Sequence, residues 1–190
     1  MTRKYNIIYA DPPWSYKGST FGLRPGGSPT SNYNPNLRYP TQSNEWIMSL
    51  PIRRIAENDA SLFLWVTNPL LPIGFQVMRA WGFDYKTVAF CWVKRTDNGK
   101  IRTNLGYWTL GSIELCLLGT RGSPKKITNT VRQLIEAPVM GHSCKPSEAR
   151  KRIEELFGDV PRIELFARRK TEGWDVWGSE VESDIELEVV

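Results

Sequence analysis

The chain reads as an α/β domain, a mostly parallel central sheet with helices on both faces. Two observations predict it. Short runs of aliphatic, β-branched and aromatic residues recur along the chain, the pattern of strands buried on both sides. Between them lie segments with apolar residues at helical spacing. At 190 residues, 41% hydrophobic and 24% charged, one domain can bury a sufficient core without disulfides or metal. Residues 1–180 are expected to form that domain and residues 181–190 an acidic tail.

The elements follow in order. Residues 5–10, "YNIIYA", make the first buried strand. Residues 17–38 are rich in Gly, Pro, Ser and Asn and predict a long loop, of a length that is usually functional. "SNEWIMSLPIRRIAEN" reads as helical with a break at Pro51. "SLFLWVTN" (61–68) is a second strand, 70–81 a helix ending at Gly82, "YKTVAFCWVK" (85–94) a third strand and "IELCLLGT" (113–120) a fourth. The polar stretch between the last two has Asn98-Gly99 at its tip, a turn signal. Residues 147–158 place Ala149, Ile153, Leu156 and Phe157 on one helical face, with Gly158 as C-cap. "RIELFAR" (162–168) and "WDVWG" (174–178) close the set as strands, and the tail "SEVESDIELEVV" is expected to fray. No internal repeat is present. In such sheets ligands bind beyond the carboxyl ends of the strands, which directs attention to Asp11, Asn68 and Arg168.

Three cysteines (Cys91, Cys116 and Cys144) without a CxxC pair argue against a disulfide framework or a structural zinc site, and the single histidine, His142, excludes a multi-histidine metal site. No signal peptide and no apolar run of about 20 residues is present, so a soluble protein in a reducing cytoplasm is expected, the host's if the source is viral. The net charge of +5 leans toward an anionic partner.

"ADPPW" (10–14) carries the chemistry. Two prolines fix φ and remove two N–H donors, so the turn is stiff and offers carbonyls only. Beside them stands a carboxylate, an acceptor when ionised. One reading is a proline-stiffened turn with a core tryptophan. The other is an acceptor-only clamp for an exocyclic amine on a flat base, with Trp14 stacked on the base. Two acceptors on that amine would localise its lone pair and aim it at an electrophile.

"ADPPW" at a strand end resembles the signature of the MT-A70 family of N6-adenine methyltransferases. "YPT" (39–41), "LFLWVTN" (62–68), "AWGFDYKTVAFCWVK" (80–94), "HSCKPSEA" (142–149), "IELFAR" (163–168) and "WDVWGSE" (174–180) match it in order, over nearly the whole chain. The resemblance implies a Rossmann-like class I methyltransferase fold in circularly permuted order, catalytic strand first and cofactor strand late. It implies S-adenosylmethionine as cofactor and adenine N6 as target, with Asp11, Pro12, Pro13 and Trp14 as the catalytic motif.

By the same likeness Asp11 contacts both the target amine and the cofactor's amine, Pro12 offers its carbonyl, and Lys145 pairs with the cofactor carboxylate. Lys145 precedes Pro146 at an expected helix N1, where backbone donors favour an anion; otherwise it is a surface lysine at a helix start. Glu164, Leu165, Phe166 and Arg168 occupy the family's "ELFxR" strand end, with Arg168 toward the ribose. Alternation points Glu164, Phe166 and Arg168 to one face, and a charged pair flanking Phe166 there implies a pocket. Ser179 and Glu180 stand where the family usually has Asn-Gln; Glu180 can still accept from both ribose hydroxyls. The family's upstream acid that reads the cofactor adenine has no counterpart before Tyr5, so another segment is expected to cap the adenine, or cofactor binding is weaker.

For the target base the candidates are Tyr39, the loop 17–38, Trp65, Asn68 and Pro69. Asn68 reads a base edge or the cofactor, or closes a strand-end Asx turn; Tyr39 borders the base pocket by likeness, or packs. Lys94 and Arg95 open one basic segment, 94–102, and 121–126 is another. Each is a solvated loop or a phosphate track, and both are expected to flank one sheet edge. His142 reads as structural. N6 methylation needs no strong base, since the proton can leave afterwards to Asp11 or water.

DNA is the favoured substrate, with RNA the alternative, and the target base must leave the stack. The rival reading is a non-catalytic nucleic-acid-binding partner of an active methyltransferase; the intact Asp11–Trp14 motif, Lys145 and Arg168 disfavour it. A methyltransferase of a free base is compatible with the modest charge. A monomer or homodimer without membrane association is expected.

Overall fold

A computed structural model of the chain describes residues 3–15, 41–106, 108–140 and 144–187. Tyr39, the whole of the loop 17–38 and His142 lie outside them. Seven strands form one sheet: β1 (Tyr5–Ala10), β2 (Ala56–Val66), β3 (Asp84–Arg95), β4 (Ile113–Arg121), β5 (Leu134–Pro138), β6 (Arg162–Leu165) and β7 (Asp175–Trp177). Their order is β5-β3-β4-β2-β1-β6-β7. Only β4 runs against the rest, antiparallel to both β2 and β3. The mostly parallel sheet is therefore as expected.

Period-two alternation assigns the two faces. Ile8 and Ala10 of β1 with Leu62, Leu64 and Val66 of β2 bury one face against Ile47 of α1 (Asn44–Ser49), Ile52 and Ile55 of α2 (Ile52–Ile55), and Val77 and Met78 of α3 (Leu71–Ala80). Ile7, Tyr9, Phe63, Trp65, Phe90 and Trp92 bury the other against Ala149 and Ile153 of α4 (Ser147–Phe157). Both faces are covered, as a parallel sheet requires.

The differences from expectation have local causes. β2 begins five residues early because its first half, Glu57-Asn58-Asp59, is polar and masks the strand pattern. β5 carries no clear strand signal in the sequence: it is an edge strand with Ile135 alone buried and a terminal Pro138. Pro146 is the N-cap of α4 rather than its first residue, while Gly158 is the expected C-cap at φ 73°. The tail does not fray as far as Leu187. Ile185 and Leu187 pack on the first core, and Asp184 accepts from the Val176 amide at 2.9 Å and from Lys170 at 2.9 Å.

Because β4 alone is reversed, its start lies at the edge where β1, β2 and β3 end. The end of β4 carries Arg121 and the segment 121–126 to the opposite edge. The two basic segments therefore do not flank one edge as expected: 94–102 stands at the carboxyl edge and 121–126 at the amino edge. No helix among the described residues is long and apolar enough to cross a membrane.

Candidate active site at the carboxyl edge of the sheet

The stiff turn forms as the prolines dictate, yet its carbonyls are partly engaged. Pro12 O accepts from the Trp14 amide at 2.9 Å, and Pro13 O accepts from the Gln42 amide at 2.9 Å. Each carbonyl oxygen keeps a second lone pair. Trp14 is 6% exposed and its Nε1 donates to Trp65 O at 3.0 Å. Its ring therefore pins the turn onto the end of β2, and it is not presented for stacking on a base. Asp11 retains 29% side-chain exposure beside this anchored turn.

A ridge of alternating charge crosses the carboxyl edge from Asp11. Lys145, two residues before α4, donates through Nζ to Asp11 Oδ2 at 2.7 Å and lies 3.3 Å from Glu114 Oε2 at the start of β4. Glu114 also binds Lys94 near the end of β3. Lys145 is 8% exposed and its Nζ sits 5.8 Å over the buried ring of Trp65. Burial alone would drive the proton off Lys145; Asp11 and Glu114 reverse this and hold its pKa above the usual lysine value. Burial pushes the Asp11 carboxyl up against the pull of Lys145. Burial also acts upward on Glu114, but Lys145 and Lys94 outweigh it and hold that carboxyl below its ordinary value.

A second buried pair lies at the end of β6. Arg150 of α4 donates through Nη1 to both oxygens of Glu164 at 3.1 Å, and its guanidinium lies 5.9 Å from the Tyr9 ring. Tyr9 in turn accepts at its hydroxyl from Trp65 Nε1 at 2.7 Å. The charge of Glu164 is thus answered by a cation from the helix above rather than by a pocket. Burial raises the Glu164 carboxyl despite Arg150.

The expected alternation stops at Leu165, which is fully buried in the first core. Phe166 takes φ 61°, the sole positive value among described non-glycine residues, and so turns away from Glu164. It joins an aromatic group with Trp177 at 5.4 Å and Trp46 at 6.5 Å. Arg168 emerges beyond it, 3.5 Å from Glu180; both are exposed, as is Ser179 in the turn after β7.

The substrate candidates divide. Asn68 is exposed at the start of a 3-10 turn past β2, and Pro69 is half-buried beside it. Trp65 is fully buried under Lys145, so it supports the site from below. Lys94 is spoken for by Glu114, and Arg95 pairs with Glu136 and donates to Gly99 O at 3.1 Å; neither stands free to track phosphates. Glu114 and Arg150 join the site without being among the sequence candidates. The signal for Glu114 was a lone acid in an otherwise apolar strand; for Arg150 it was a charge beside Ala149 on the buried helical face.

The arrangement joins a half-buried carboxylate, a stiff acceptor turn and a buried ammonium at one sheet edge, with an exposed arginine–glutamate pair at the next strand ends. It can hold an amine at Asp11 and an anion at Lys145. The sequence profile of the MT-A70 family matches residues 5–180. A Mycoplasma protein named type II methyltransferase M.MunI is 35% identical over 94% of this chain and 78% of its own length. The human N(6)-adenosine-methyltransferase catalytic subunit METTL3 is 30% identical over 87% of this chain but 26% of its own length, and an Arabidopsis thaliana N(6)-adenosine-methyltransferase MT-A70-like protein is 29% identical over 93% and 24%. The chain thus spans most of the Mycoplasma protein and about a quarter of the plant and animal ones. With the site geometry, the ordered motifs and a match from the first strand to Glu180, the chain belongs to the MT-A70 family.

Proposed function

We propose that the protein is an S-adenosylmethionine-dependent methyltransferase of the N6 amine of adenine in DNA, built as one domain over residues 1–180 and acting in the cytoplasm as a monomer or homodimer. The observation that carries this reading is Asp11, at the end of β1, held 2.7 Å from Lys145 while its side chain remains partly open beside the proline turn.

The donor set fits the cofactor. An ammonium has three donors, and Asp11 and Glu114 engage two, leaving one for a carboxylate. Arg168 and Glu180 are exposed where a ribose diol would sit, and Phe166 and Trp177 offer apolar surface nearby. Bound there, S-adenosylmethionine supplies a sulfonium methyl group, a strong electrophile.

The chain's own residues do the rest. Asp11 accepts one N–H of the target amine and the free lone pair of Pro12 O accepts the other, which localises the nitrogen lone pair. Trp14 and Gln42 hold the turn so that these acceptors need no reorganisation. Asp11, its carboxyl raised by burial, takes the amine proton afterwards or passes it to water. The Mycoplasma type II methyltransferase, matched over 78% of its length, favours DNA over RNA.

The test is methyl transfer from labelled cofactor to duplex DNA, single-stranded DNA and RNA, followed by nucleoside analysis. N6-methyladenine from DNA, abolished by Asp11→Ala, is expected. Folded, cofactor-loaded protein that methylates none of the three would refute the enzyme reading. Methylation of RNA alone would move the substrate.

A further inference from the structure

The segment joining β3 to β4, described at residues 95–106 and 108–113, forms an arm at the carboxyl edge. Its roots are part of the charged ridge: Lys94 precedes it and Glu114 follows it, and Glu114 contacts the same Lys145 that binds Asp11. The arm is ordered by its own backbone. Arg102 N donates to Lys94 O at 2.8 Å, and Asn104 and Gly111 exchange bonds of 2.8 and 2.9 Å around a second turn. That turn is tight: a Cβ on Gly106 would stand 2.2 Å from Thr109 O.

What the arm displays is unusual for this chain. Trp108 is 86% exposed, whereas the other seven tryptophans are buried or half-buried. Leu105 and Leu110 flank it, also exposed, and Lys100 and Arg102 are exposed below. A folded turn that holds a tryptophan and two leucines in solvent marks an interaction surface. Lys100 and Arg102 precede these apolar groups along the arm, and Asp97 is the one acid there. A second copy would bring a like-charged arm and a net charge of +5; a polyanion complements both.

We propose that the 95–113 arm is the element that holds duplex DNA against the catalytic turn, with Lys100 and Arg102 on phosphates and Trp108 stacked among the bases beside the one that leaves the helix. It rests on the DNA methyltransferase reading above. The arm's roots carry the contact to the edge where Asp11 waits. Apolar or aromatic side chains that enter a base stack offset the cost of opening it, which a flipped adenine requires.

The experiment compares wild type, Trp108→Ala and Lys100→Gln/Arg102→Gln in three measurements. These are affinity for a mixed-sequence DNA duplex and its separated strand across salt concentrations, methyl transfer to genomic DNA, and sedimentation. Trp108 is exposed enough for its truncation to leave the fold intact, which the cofactor-bound melting curve checks. Loss of base–aromatic stacking is expected to weaken duplex binding about fivefold or more, and the single strand less. The double substitution is expected to lower the slope of log affinity against log salt by about two. Unchanged duplex affinity and salt slope, with wild-type methylation of DNA intact, would overturn the arm's role and leave the activity standing. A wild-type dimer that Trp108→Ala dissociates would overturn it in favour of a self-interface. Absence of wild-type transfer to DNA would remove the activity, and this proposal with it.

Discussion

Replacing Arg150 by Met tests the buried pair that holds Glu164 at the end of β6. The guanidinium meets both carboxylate oxygens at 3.1 Å, with side-chain exposures of 9% for Arg150 and 15% for Glu164. Removing one partner of such a pair costs about 3–5 kcal/mol, because the other charge stays buried and unanswered. The residual exposure of Glu164 places the loss near the lower bound, about 3 kcal/mol, or a fall of about 6–12 °C in Tm for a domain of this size. The deficit depends on pH. Burial holds the Glu164 carboxyl above its unfolded value. The stability linked to it is therefore fully present below about pH 4.3 and is lost as pH rises through the folded pKa. Removing Arg150 raises that folded pKa further, so the variant should fall furthest behind wild type at neutral pH and recover toward it in acid. Chemical denaturation of wild type, Arg150→Met, Glu164→Gln and the double variant at several pH values measures this. The double variant should be more stable than the sum of the two single losses allows. A loss under about 1 kcal/mol at neutral pH, or one that does not change with pH, would refute the assignment of Glu164 as a buried charge dependent on Arg150.

Three other outcomes are expected. Lys145→Ala should weaken S-adenosylmethionine binding at least about tenfold by calorimetry, as loss of a charged hydrogen bond implies; unchanged affinity would remove Lys145 from the cofactor site. Glu114→Gln should flatten the acid limb of the stability curve: its carboxyl is held low by Lys145 and Lys94, so its contribution is present above about pH 4.3 and lost as pH falls through the folded value. Equal acid sensitivity in variant and wild type would contradict this. Trp14→Phe keeps an apolar ring but removes the donor to Trp65 O and strands a buried carbonyl, which should cost about 1–3 kcal/mol in urea unfolding.

Much of the fold was legible because burial on both faces leaves a simple trace. β1, β3 and β4 read directly as apolar runs, and α4 announced itself by its spacing and its terminal glycine. β5 left no such trace, since an edge strand buries one side chain and ends in proline. The polar first half of β2 was hidden for a related reason: its residues pair along the backbone while their side chains reach solvent.

At the site, residue types alone marked Asp11, the proline turn and Lys145 as candidates, but not Glu114 or Arg150. An acid beside two prolines offers acceptors and few donors, and a lysine ahead of Pro146 suits an anion. Partnership was decided only by tertiary structure, because charge pairing depends on which strands become neighbours. Reversal of β4 brought Glu114 to the edge where Lys145 meets Asp11, and α4 laid Arg150 across Glu164. Whether Trp14 faces a base or the core turned on one donor, its Nε1, finding the carbonyl of Trp65 fifty-one residues away. The sequence by itself determined the acceptor turn and its acid. Folding decided what holds them, because burial of a polar group demands a partner and only the packed sheet supplies one.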